Sequence, residues 1–147
     1  MSLFSQRYQQ PTKDLNLPND LHELEKAALI AELQQLGIKH SPENIIRIAK
    51  TIEGKIVFLE TGNFSSGMRH ILREHTLEFA EQGISQEEIS DAIMVAVTQG
   101  QIVSYQGVNH PTPRPIYQFT FKGEIKMMAV QVSDNGYIVS ANPRSSP

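Results

Sequence analysis

The chain has 147 residues, 39% of them hydrophobic and 20% charged, with a formal net charge of −3 and no cysteine. That length and balance fit one globular domain able to bury its own core. The missing thiols exclude disulfides, thiolate metal sites and cysteine nucleophiles. A mildly acidic chain argues against non-specific nucleic-acid binding, but it leaves room for a local cluster of cations.

No stretch approaches the ~18 apolar residues of a membrane span. The first residues lack the charged-then-apolar order of a signal peptide. The expectation is a cytoplasmic protein without membrane contact, or one carried into another cell when fused to a secretion module.

Residues 1–18 are polar and aperiodic and read as a flexible lead-in, with a single α+β domain over 19–147. Asn19 or Asp20 is an N-cap candidate. Leu21, Leu24, Ala28, Ala31 and Leu36 recur near helical spacing, which predicts a helix over about 20–36 stopped by Gly37. Ser41-Pro42 reads as a helix opening, with Ile45, Ile48, Ala49 and Ile52 as the buried stripe of a second helix over 42–53. Residues 55–60 are β-branched and apolar, a short strand. A turn-rich loop leads to a helix over about 67–82, and a Ser85–Glu88 capping box starts another over 86–99.

Beyond Gly100 the apolar period falls from 3.6 to about 2. Strands are predicted near 102–106, 115–122, 125–133 and 136–142, joined in part by the tight turns Lys122-Gly123-Glu124 and Asp134-Asn135-Gly136. The predicted fold is α+β: N-terminal helices packed on a four-stranded antiparallel meander. Alternation puts Tyr117, Phe119, Phe121, Met128, Val130 and Val132 on a core face. It puts Ser104, Gln106, Gln118, Thr120, Gln131, Ser140 and Asn142 on the other, with Ile138 on that side too. The plain reading of the second face is the wet side of an antiparallel sheet.

Chemistry concentrates in Met68-Arg-His-Ile-Leu-Arg-Glu-His-Thr76. Histidine suits proton transfer near neutral pH, and the arginine fork suits phosphate. His70 and His75 are five residues apart, about 500° of helix, so they fall on different faces. That spacing, with scattered carboxylates, argues against a shared metal. His75 joins Met68, Leu72 and Phe79 on the inward stripe, which leaves it sealed in the core or at the edge of a cleft.

The run from Gly54 to Pro143 resembles the C-terminal toxin domains of bacterial contact-dependent inhibition and filamentous-haemagglutinin-like proteins. The segments that carry the likeness are GKIVFLETGN (54–63), HILREH (70–75), Phe79 with Gly83-Ile84-Ser85, Gly107, RPIYQFTFKG (114–123) and DNGYIVSANP (134–143). Residues 19–53 resemble the helical segment leading into such domains, and 54–143 their nuclease core. The resemblance implies a metal-independent ribonuclease of the barnase, EndoU, colicin and RelE group. It would cleave tRNA or rRNA without a cofactor and be held in check by a cognate immunity protein. The residues it points to are His70, His75, Arg114, Thr120 and Ser140 for catalysis, and Arg73, Tyr117, Gln118 and Asn142 for substrate binding. The chain departs from the pattern in its acidic balance and in a Gly107–Arg114 loop that adds His110 and two prolines. The alternative is a catalytically inactive RNA- or protein-binding regulatory domain of the same fold.

Overall fold

The computed structural model describes residues 17–147. Most of the expected lead-in, and any structure it has, lies outside them. The fold is α+β. Its elements are α1 (Leu17–Gln35), β1 (Ile45–Lys50), β2 (Ile56–Glu60), α2 (Gly67–Glu81), α3 (Ile89–Gln99), β3 (Gln101–Gln106), β4 (Arg114–Phe121), β5 (Glu124–Val132) and β6 (Ile138–Arg144). The four C-terminal strands form one antiparallel sheet in the order β3-β4-β5-β6, and β1 pairs with β2 in a separate two-stranded sheet.

The expected helix over 42–53 is corrected. Only Pro42–Asn44 makes a short 3-10 turn, and the chain then extends into β1. Ile45, Ile46 and Ile48 are β-branched, stiff at χ1 and better placed on a pleated surface. Pairing with β2 overrides the apparent helical period. Ile45 is buried, whereas Ile52, assigned to the helical stripe, is 87% exposed.

Helix α1 is present, but it begins at Leu17, so Asn19 and Asp20 lie inside it rather than at its cap. Its buried face is also not the expected one. Leu21, Leu24 and Leu36 are exposed, while Leu29, Ile30 and Leu33 join Ile45, Ile56 and Phe58 in a small core. The helix packs mainly on the two-stranded sheet, and residues 29, 30 and 33 have the spacing that meets it.

The main core lies between the four-stranded sheet and α2 and α3. Ile71, Phe79, Ile89, Ile93, Phe119, Met128, Val130, Ile138 and Ala141 meet there. Fully burying each of the Ile, Phe, Met and Val side chains contributes about 1.5–3 kcal/mol. A bulge between Gln131 and Val132 pairs Val132 with Ile138 and Gln131 with Ser140. The extra residue resets the alternation, so Ile138 moves from the expected polar face into the core.

Residues paired across a ladder share a face. Arg114 pairs with Gln106, Ile116 with Ser104 and Ala129, Ala129 with Asn142, and Gln131 with Ser140. One face therefore carries Gln106, Arg114, Gln131, Ser140 and Asn142 over a buried floor of Ile116 and Ala129.

That face is concave. Strands β3 and β6 are the two edges of the sheet, about 14 Å apart if it were flat. Yet Gln106 and Asn142 exchange two side-chain hydrogen bonds, of 3.2 and 3.1 Å. The meander curls until its edges touch. Along the β6 edge runs α2, which sends Ile71 into the core while His70 bonds Ser140 on the concave side.

Candidate active site

The site starts from a backbone carbonyl. Asn63 Oδ1 accepts hydrogen bonds from the amides of Ser65 (2.8 Å) and Ser66 (3.1 Å), which folds the loop before α2 back on itself. The loop then offers the Phe64 carbonyl to His70 Nδ1 at 2.9 Å. A carbonyl only accepts, so Nδ1 carries the proton and the Nε2 lone pair of neutral His70 accepts the Ser140 hydroxyl at 3.1 Å. Ser140 is 1% exposed, the sole buried polar residue among those described.

Arg114 completes the chain. Its Nη1 donates to Ser140 Oγ at 3.5 Å and to Asn142 Oδ1 at 3.3 Å. The side chain is partly buried, and burial pushes the guanidinium down from its ordinary pKa. Every partner it has is neutral; among the described residues it makes no ion pair. Arg144 steadies the far end of the carboxamide pair, donating to Gln106 Oε1 at 2.9 Å.

His70, Gln106, Arg114 and Asn142 line a cavity of about 510 Å³ whose walls also include Glu74, His75, His110, Thr112 and Gln131. His75 binds Glu78 through Nδ1, which leaves Nε2 without a partner among the described residues. A carboxylate on Nδ1 fixes the tautomer, with the proton on Nδ1 and the lone pair on Nε2. The ring centroids of His70 and His75 are 6.3 Å apart. The expectation that helical rotation separates them is thus corrected: both line one cavity, because side-chain reach offsets the rotation. His75 lies at the edge of a cleft rather than in the core.

The structure therefore brings together His70, His75, Arg114, Ser140 and Asn142. It does not bring in the other four expected residues. Thr120 is exposed and pairs with Ile125 beside the β4–β5 turn, about 20 Å along the strand from Arg114. Gln118 is exposed on the same strand and pairs with Gln101 and Met127, away from the cavity. Tyr117 packs against the main core, and burial raises its phenol pKa, with smaller contributions from Tyr105 and Glu53. Arg73 stacks 4.4 Å over the Phe64 ring and braces the loop whose carbonyl orients His70.

Sequence reasoning left Gln106, Glu74, His110 and Thr112 out of the site. Gln106 carried a signal, since its alternation matched the polar face. For the other three, nothing local shows that the β3–β4 loop and α2 share a cavity.

Two larger concavities have less chemistry. One of about 740 Å³ lies between α1 and β1 and includes His22; one of about 620 Å³ lies by Ser41, Glu60 and Tyr137. Among the described residues, no three His, Asp or Glu side chains are placed to share a metal ion, and no helix is long and apolar enough to cross a membrane. The chain matches no protein-family model, and no curated protein is significantly similar to it.

Proposed function

We propose that the concave face is the active site of a metal-independent endoribonuclease of the toxin type, cutting RNA by attack of the ribose 2′-hydroxyl on the adjacent phosphorus. The observation that carries this reading is Arg114: a partly buried guanidinium with no carboxylate partner among the described residues, in one cavity with three imidazoles. A cation held only by neutral acceptors keeps its charge for an incoming anion, and a planar fork fits phosphate.

In this mechanism His75 Nε2 takes the 2′-hydroxyl proton as the 2′-oxygen bonds to phosphorus. The general acid is the doubly protonated form of His70, in which Nε2 donates instead of accepting; its Nε2 proton goes to the 5′-oxygen as the bond from phosphorus to that oxygen breaks. The products are a 2′,3′-cyclic phosphate and a 5′-hydroxyl. Arg114 stabilises the charge that grows on the non-bridging oxygens. Ser140 and Asn142 position Arg114, and Glu78 orients His75.

The Phe64 carbonyl, His70 and Ser140 also have the order of orienter, base and nucleophile. A nucleophile must meet its substrate, and Ser140 is 1% exposed. That exposure favours a positioning role. Incubating the purified protein with total bacterial RNA tests the proposal. Discrete cleavage by the wild type, lost in Arg114→Ala and His75→Ala, supports it; intact RNA favours the inactive binding domain.

A further inference from the structure

Three imidazoles line the cavity, and their fixed tautomers differ. His70 and His75 each point Nδ1 at an obligate acceptor, the Phe64 carbonyl and the Glu78 carboxylate, so both carry a proton on Nδ1. His110, on the loop between β3 and β4, is the reverse. Its Nδ1 lies 3.1 Å from the backbone nitrogen of Thr112 and 3.3 Å from Thr112 Oγ1. A backbone amide only donates, so His110 Nδ1 must be the acceptor and the ring proton sits on Nε2.

The loop itself sets this geometry. The His110 amide donates to the Gly107 carbonyl at 2.8 Å, closing a turn that begins at Gly107 with φ +72°. Residues 107–113 contain no charged side chain. The carboxylate on the cavity wall, Glu74, lies 3.9 Å from Arg73.

We infer that His110 is a neutral hydrogen-bond donor which, with Arg114, binds a phosphate group through Nε2–H and moves no proton. The inference rests on the reading of this cavity as a phosphodiester site and adds the group that grips the anion from the loop side. The donor is a lone N–H with its acceptor side already occupied. It can hold a non-bridging oxygen, and it cannot take the 2′-hydroxyl proton.

Two isosteres separate this role from its rivals. Glutamine carries an N–H near the place of Nε2. Asparagine offers Oδ1 near the place of Nδ1, so it preserves the bond from Thr112 and leaves the cavity without a donor. Nitrogen-15 spectra of the His110 ring should show the Nε2–H tautomer. In titrations with inorganic phosphate, His110→Gln should bind like wild type, while His110→Asn and His110→Ala should bind about tenfold more weakly. RNA cleavage should follow the same order.

An Nδ1–H tautomer, absence of phosphate binding by the wild type, or equal binding by the Gln and Asn variants would overturn the inference. So would cleavage by His110→Gln as poor as that by His110→Ala, since His110 would then be moving a proton. If phosphate binding depends on His110 while wild-type protein leaves RNA intact, the ribonuclease reading fails and this one stands.

Discussion

His70 Nε2 lies 3.1 Å from Ser140 Oγ, joining a residue on α2 to one on β6 across seventy positions of sequence. The same oxygen accepts from Arg114 Nη1. One buried hydroxyl thereby holds both an imidazole and a guanidinium in place, and neither is oriented by a carboxylate. Ser140→Ala should lower RNA cleavage on the order of 10²-fold, the size expected for disturbing an acid–base and anion-binding pair. Part of that loss should fall in KM through Arg114. The circular dichroism spectrum should not change, because a lone buried hydroxyl bond contributes only about 1 kcal/mol. An unfolded variant, or one as active as wild type, would count against the role.

His75 and Glu78 act as a unit in this account. His75→Ala should cost at least about 10²-fold in kcat, as removal of a general base does. Glu78→Gln should cost less, since it keeps an acceptor opposite Nδ1 and removes only the charge. His22→Ala, on α1 and in a separate concavity, should leave cleavage unchanged. Single-turnover rates on a short RNA would rank the three.

Arg114→Lys preserves charge but loses the planar fork, in which Nη1 alone serves Ser140 and Asn142 and the other N–H groups are left for phosphate. The variant should raise KM about tenfold or more with little change in thermal stability. Wild-type kinetics in the lysine variant would show that a point charge suffices there.

A stability prediction tests the frame rather than the chemistry. Gly136 has φ +96°, and a Cβ there would lie 2.1 Å from the Ile56 carbonyl oxygen. Its own carbonyl accepts from the Phe58 amide at 2.9 Å, joining the two sheets. Gly136→Ala should destabilise the fold by about 1–3 kcal/mol from the backbone strain alone, with the clash added to that. Gly123→Ala, at φ +80° with no atom within 4 Å of its Cβ, should cost less. Urea unfolding midpoints would compare them.

The sheet was legible because each strand carries its own alternation and the turns carry their own residues: Gly123 and Gly136 both adopt positive φ in the turns where they were expected. The strand at Ile45–Lys50 was not legible, since Ile45, Ile48 and Ala49 fit a helical stripe as well as a pleated one and only the pairing with β2 decides between them. At the site, strand parity and the inward stripe of α2 pointed to Ser140, Asn142 and His75. Two properties escaped them. The curl that brings Gln106 to Asn142 sums small twists over four strands, and no local pattern encodes it. Thr120 misses the site for a simpler reason: six residues of extended strand carry it about 20 Å from Arg114, although both lie on one face.

The most direct test of the central claim is end-group analysis of a defined RNA cleaved by the purified protein in EDTA, beside the same oligonucleotide with a single 2′-deoxy substitution at the cut site. The account predicts a 2′,3′-cyclic phosphate and a 5′-hydroxyl from the RNA, and no cleavage where the 2′-hydroxyl is missing. Cleavage of the deoxy-substituted strand, a 5′-phosphate product, or activity that requires a divalent ion would contradict it.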